Sequence, residues 1–183
     1  MKVEQTDFYI NQLHYCIRSA NNEDAQELSE VRVQIDGETE NMDREQGEGY
    51  IDEQGFKRII AEDLQAEKNL FLVAETNGKI IGFSRCEGNK LKRSLHKIEF
   101  GICVLREYWG FGIGRNLLQQ SIQWADSNGI IKMELNVIET NEKAISLYEK
   151  NGFEVEGVLK KDKRLSDGNF YNTIVMGRLN QNN

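Results

Sequence analysis

The turn Gly110-Phe111-Gly112-Ile113-Gly114 lies between a strand-like run, residues 95–105, and an amphipathic stretch that begins Arg115-Asn116-Leu117. In a strand–glycine turn–helix arrangement, successive backbone N–H groups point into one concavity and the helix dipole adds partial positive charge there. Phosphate is the natural occupant of such a cradle. A Walker A loop would end Gly-Lys-Ser/Thr, whereas this turn ends Gly114-Arg115-Asn116, and the dinucleotide fingerprint GxGxxG is not met by GFGIG. The alternative is that the glycines only close a tight junction. A second group follows in LNVIETNEKAISLYEKNGF, where Asn141 and Tyr148, seven residues apart, fall on nearly one helix face. The Tyr148 phenol stays protonated at neutral pH. From pattern alone it also suits an aromatic core position on an apolar helix face.

The elements that must position these groups can be read from pattern. Residues 13–19 form a first strand, Asn21 or Asn22 caps a helix running to about residue 36, and a second helix spans about 52–68. Residues 36–53 between them are acidic and glycine-bearing, with loop composition. NLFLVAET, Asn77-Gly78 and KIIGFSRCEG read as a hairpin, since Asn-Gly suits the positive-φ positions of a type I′ turn. After the strand, glycine turn and helix already described come a strand IIKMELNVI, the helix with Asn141 and Tyr148, and a hairpin across Asp167-Gly168-Asn169. The order β-α-α-β-β-β-α-β-α-β-β predicts an α/β fold with a mixed sheet. Residues 1–12 read as an extension and 13–180 as a single domain.

Composition narrows the classes. The chain has 183 residues, 39% hydrophobic and 29% charged, with a net charge of −7. That balance argues against a nucleic-acid backbone as partner, because such binding draws on clustered Lys and Arg. No apolar run approaches the roughly 18 residues of a membrane helix, and the N-terminus has no signal-like stretch, so a cytoplasmic protein with no membrane partner is expected. Cys16, Cys86 and Cys103 are odd in number and set in apolar runs, as reduced core cysteines would be. His14 and His96 have no ligand spacing around them, and no metal is called for.

VLREYWGFGIGRNLL and LNVIETNEKAISLYEKNGF together resemble the two signature segments of the GCN5-related N-acetyltransferases (GNAT), in spacing and in the elements around them. The resemblance implies an N-acetyltransferase that moves an acetyl group from acetyl-CoA directly to the primary amine of a small molecule or a peptide. It implies that main-chain groups of Ile102, Cys103 and Val104 meet the pantetheine. The amides of Trp109, Gly110, Phe111, Gly112, Ile113, Gly114 and Arg115 would take the pyrophosphate, although the family favours Arg or Gln where Trp109 stands. Trp109 packs on the cofactor or belongs to the core. Asn141 would hydrogen-bond the pantetheine and Tyr148 would protonate the departing thiolate. In the family's ribosomal-protein branch a glutamate stands where this chain has Asn136, which cannot be a base. Glu99 is the best remaining carboxylate and Glu134 the second; for Glu99 the alternatives are a substrate-orienting role or a charge at a strand end. A main-chain amide near Val104 would polarise the carbonyl. The acidic stretch 38–53 either recruits a cationic amine or is merely solvated. A homodimer through the last strands is a further family-based expectation, and a non-catalytic acyl-CoA-sensing module is the competing function.

Overall fold

The computed structural model describes residues 2–180. Eight strands and four α-helices follow in chain order: β1 Thr6–Ile10, β2 Leu13–Ser19, α1 Ala25–Glu38, α2 Glu53–Gln65, β3 Leu70–Thr76, β4 Lys79–Gly88, β5 Lys97–Val104, α3 Ile113–Ser127, β6 Lys132–Ile138, α4 Glu142–Lys150, β7 Glu154–Arg164 and β8 Phe170–Leu179. They build one mixed sheet in the order β1-β2-β3-β4-β5-β6-β8-β7, in which only β5 and β6 run parallel. The expected α/β fold with a mixed sheet is present, with one strand more than the sequence pattern suggested. That strand, β1, falls within residues 1–12. Its hairpin to β2 turns on Asn11 and Gln12, which adopt φ of 49° and 67° without a glycine between them, so the usual turn signal is missing.

Alternation along the strands divides the core in two. Leu70, Leu72 and Ala74 of β3 join Ile98 and Phe100 of β5 under α3 and α4. Phe71 and Val73 face the other way, onto Leu28, Val31 and Ile35 of α1 and Phe56 and Ile60 of α2. A strand covered on both faces needs an unbroken apolar run, and Leu70-Phe71-Leu72-Val73-Ala74 supplies it. The caps are local. Asn21 accepts from the Glu23 amide at 2.8 Å, and its own amide donates to Asp24 at 2.7 Å; Asp52 caps α2 by accepting from the Gly55 amide at 2.8 Å.

Helix α2 is tied to the sheet through one buried carboxylate. Asp63 accepts from Arg85 of β4 at 2.6 and 2.9 Å and from Asn69 at 2.6 Å. Removing a single partner leaves a charge in the core without its counter-ion, which costs far more than an exposed pair ever contributes. Arg85→Ala is therefore expected to lower the unfolding free energy by about 3 kcal/mol, the low end of the range for broken buried pairs because the Arg85 side chain keeps 28% exposure. Urea denaturation measures it, and a loss under about 1 kcal/mol, the size of an exposed pair, contradicts the assignment.

Candidate active site

The parallel ladder between β5 and β6 contains three pairs, Lys97 with Lys132, Ile98 with Met133 and Glu99 with Glu134. Beyond them the strands part. Residues Phe100 to Val104 stay paired to β4, and Leu135 to Ile138 stay paired to β8. The inner edges of both strands then present main-chain N–H and C=O groups without a ladder partner, and such groups must be satisfied by something other than the sheet. Ile102, Cys103 and Val104 lie on that open arm and are half-buried. At its end the Trp109 indole donates to the Val104 carbonyl at 2.8 Å. Trp109 is 45% exposed, which removes the core alternative for it.

From Trp109 the chain enters the glycine turn. Gly110 has φ of 90° and Gly112 of 74°, both in the left-handed region that favours glycine. Gly112 is the N-cap of α3 and no side chain caps that helix. The first bond into the helix runs from the Asn116 amide to the Gly112 carbonyl at 3.0 Å, which leaves the amides of Ile113, Gly114 and Arg115 as orphan donors at the positive end of the dipole. Arg115 folds back over this end, its Nη2 3.3 Å from where a Gly112 Cβ would sit. Free donors, a helix dipole and a guanidinium fit an anionic group. Gly114 is by contrast an ordinary helical residue, and a methyl group there would meet Ile102 Cδ1 at 3.7 Å and Val104 Cγ2 at 4.0 Å.

Helix α4 begins at Asn141, whose Oδ1 accepts from the Ala144 amide at 3.3 Å, so this side chain is a helix cap with its Nδ2 left over. Tyr148, one helix face further along, is 7% exposed and tilts against Phe153 with centroids 5.7 Å apart. Its hydroxyl has no hydrogen-bond partner among the described residues. Burial, helped by nearby Cys103, pushes its pKa above the usual tyrosine value, so the phenol stays protonated.

Glu99 is exposed at the root of the fork, on the strand face it shares with Gly101 and Cys103. Its neighbours across the sheet are Glu87 and Glu134. Glu134 pairs with Lys97 at 2.6 Å and Glu87 with Arg85 at 2.7 Å, whereas Glu99 has no ion pair among the described residues. The thiols stay neutral. All three cysteines are unpaired, and burial raises Cys86 and Cys103 to about 12.

The acidic stretch folds over the Cys103 side and consumes its carboxylates internally. Glu38 accepts from the Arg106 amide at 2.7 Å, Glu40 from the Ser166 amide at 2.8 Å, and Asp43 pairs with Lys163 of β7. Met42 lies 3.5 Å from the Cys103 sulfur. Pattern reading singled out neither Arg32 nor the pair Tyr15 and Asn116. Arg32 of α1 is 8% exposed, and its single hydrogen bond among the described residues goes to the Gly49 carbonyl at 2.9 Å. Tyr15 and Asn116 reach the glycine turn from beneath. Arg32 shares the buried face of α1 with Ser29 and Asp36 as well as with Leu28 and Ile35, so no pattern of residue type marks it out in the sequence.

The Acetyltransferase (GNAT) family model matches residues 36–153. The L-amino acid N-acetyltransferase AaaT of Escherichia coli is 32% identical over 109 residues, which span 59% of this chain and 67% of that protein. A GNAT-family acetyltransferase from Streptococcus pneumoniae superposes with a TM-score of 0.87 at 28% identity, covering 90% of this chain and 99% of its own. The putative acetyltransferase yncA of Salmonella typhimurium, solved with its cofactor acetyl-CoA, does so with a TM-score of 0.80 at 20% identity, covering 90% and 93%. The chain belongs to the GNAT family. It is an N-acetyltransferase, which sets aside the non-catalytic sensing module. None of its described helices is long and apolar enough to cross a membrane.

The two glycines at 112 and 114 should respond oppositely to a methyl group. Gly112→Ala meets both a left-handed φ and Ile10 Cδ1 at 3.1 Å, and is expected to cost about 1–2 kcal/mol of stability. Gly114→Ala gains helix propensity and is expected to be neutral or stabilising by up to about 1 kcal/mol. Thermal melts of the two variants decide, and an equal loss in both would contradict the geometry.

Proposed function

We propose that the fork and the glycine turn hold acetyl-CoA, and that the acetyl group passes directly to the primary amine of a small acceptor that also carries a carboxylate, of the amino-acid kind. The observation that carries the donor half is that the open arm of β5, which has no ladder partner on the β6 side beyond Glu99, leads into a glycine turn and a helix α3 whose first amides are free of intrahelical bonds. Bound there, acetyl-CoA supplies an activated acyl carbon on a thiol leaving group. The Trp109 amide, expected in the cradle, instead donates to the Arg106 carbonyl at 3.2 Å, so the amides of residues 110–115 and the Arg115 guanidinium take the pyrophosphate, the open edge of Ile102, Cys103 and Val104 takes the pantetheine, and the spare Nδ2 of Asn141 donates to the same arm. An amide near Val104 polarises the carbonyl, so charge gathers on oxygen where a donor already points.

Tyr148 then acts as the general acid. A nitrogen–carbon bond forms, the carbon–sulfur bond breaks, and the phenol proton goes to the departing sulfur. The attacking nitrogen must be neutral and sheds a proton. Glu99, the carboxylate at the fork's root without an ion pair, accepts it directly or through water.

Arg32 supports the acceptor class. Arg44 beside it is held by Asp36 at 3.1 Å in two hydrogen bonds, so the group carries two guanidiniums against one carboxylate. Burial, then the Arg44 charge, lowers the Arg32 pKa, the mark of a cation short of an anion. Both guanidiniums lie within electrostatic reach of Cys103 on the donor strand. A carboxylate on the acceptor would complete the set, in line with AaaT being an L-amino acid N-acetyltransferase. Glu38, Glu40 and Asp43, already bonded within the chain, leave little to hold a polycation.

Thiol release from acetyl-CoA with amino acids, polyamines and carboxylate-free amines tests the acceptor; turnover confined to polyamines would end the proposal. Arg32→Gln should raise KM for an amino acid about tenfold while leaving a carboxylate-free amine unaffected. Tyr148→Phe should lower kcat about 100-fold. Because the folded-state pKa of Tyr148 is raised, the wild-type rate should not fall through loss of this proton below about pH 10, the ordinary tyrosine value. An undiminished rate in Tyr148→Phe would remove it as the acid.

A further inference from the structure

We infer that the β1–β2 hairpin, which precedes the segment matched by the family model, is a working part of the donor site: Tyr15, with Asn116, aims the Gly112 amide into the pyrophosphate cradle. The inference rests on the reading that the glycine turn holds the pyrophosphate of acetyl-CoA.

Tyr15 of β2 is fully buried, and Phe8 of β1 stacks on it with centroids 5.3 Å apart and planes 20° from parallel. Its hydroxyl crosses to the start of α3, where it accepts from Asn116 Nδ2 at 2.7 Å. With one lone pair so occupied, the hydroxyl hydrogen turns to the Phe111 carbonyl, 3.4 Å away. That carbonyl and the Gly112 N–H belong to one trans peptide plane, in which the two bonds point in opposite directions. Holding the carbonyl toward the interior therefore turns the Gly112 N–H outward, to the side on which the α3 amides are free.

Two further contacts hold Gly112 from its other side. The Asn116 amide donates to the Gly112 carbonyl, in the next peptide, at 3.0 Å, so Asn116 holds the turn directly through its backbone and by way of Tyr15 through its side chain. Ile10, at the end of β1, closes over Gly112 so tightly that a Cβ there would lie 3.1 Å from its Cδ1. A flexible glycine turn would otherwise have to be ordered at the moment of binding, at an entropic cost that pre-organisation removes. Burial raises the Tyr15 pKa, so the hydroxyl remains a donor. The 3.4 Å contact is long for O–H···O, which makes the tie a soft one.

Tyr15 and Asn116 are positioning residues, and their test separates positioning from folding. Kinetics are measured with acetyl-CoA and with S-acetylpantetheine, which has the thioester and the arm but no pyrophosphate. For Tyr15→Phe, which keeps the ring and its stack on Phe8, kcat/KM with acetyl-CoA should fall about three- to tenfold through KM, while kcat/KM with S-acetylpantetheine stays unchanged. Asn116→Ala should show the same split. An equal fall with both donors, or no fall with either, overturns the inference. If the wild-type enzyme itself does not prefer acetyl-CoA over S-acetylpantetheine, the pyrophosphate reading fails and takes the inference with it.

Discussion

Buried main-chain donors and acceptors must be paired, and the ladder that would pair them between β5 and β6 ends after Glu99 and Glu134, where the two strands part. The consequence is structural before it is chemical. A sheet that closed its ladder along the whole of both strands would have no room for an extended ligand between them. One that opened at its root would lose the parallel pairing that joins its two halves. Three pairs are enough to hold β1 through β5 against β6, β8 and β7, and the remaining length of each strand is free to meet something else. Every other part of the site is placed by where that opening points. The β5 arm leads through Val104 and Trp109 into the turn, and the next helix after β6 brings Asn141 and Tyr148.

The two faces of the sheet then divide the work. Ile102 and Val104 look toward the core beneath α3 and α4, while Cys103 between them looks toward α1 and α2. A single extended segment thus presents alternate residues to the face beneath α3 and α4 and to the face beneath α1 and α2. This is why the strap of residues 39–52, with Glu38 at the end of α1, matters although it forms no helix or strand between α1 and α2. By bonding Arg106 beyond β5 and Lys163 and Ser166 in the last hairpin, it spans the opening from one half of the sheet to the other.

Much of this was legible from local pattern, and the misses share a cause. Asn77-Gly78 announced its hairpin because glycine tolerates the positive φ a type I′ turn demands. Asn11-Gln12 makes a comparable turn with two ordinary residues, φ 49° and 67°, and the strand it serves went unseen. Gly112 was legible as a turn residue for the same reason as Gly78, but Gly114 shows the limit, since a glycine's identity says nothing about whether its freedom is used. Tyr15 read as one more aromatic in a strand. Its partner Asn116 is 101 positions away in sequence, and no periodicity connects residues across such a distance. Asn141 was legible as a site residue only by resemblance, and its cap on α4 is a second use of the same side chain.

Charge shows a different limit of pattern reading. A net charge of −7 and a run of carboxylates between two helices invite the idea of a cationic acceptor. Net charge, however, governs long-range steering and solubility, whereas recognition is decided by which charges remain unpaired where water is excluded. Here the acidic stretch is mortar, with Glu38 and Glu40 accepting main-chain amides and Asp43 and Asp36 each holding a cation. The charge left over near the donor strand is of the opposite sign, the buried Arg32 beside an Arg44 already matched by Asp36. In the proposed reading an acidic protein builds a basic subsite, because folding pairs the carboxylates of this stretch with the chain's own donors and leaves the Arg32 guanidinium to meet the acceptor's carboxylate.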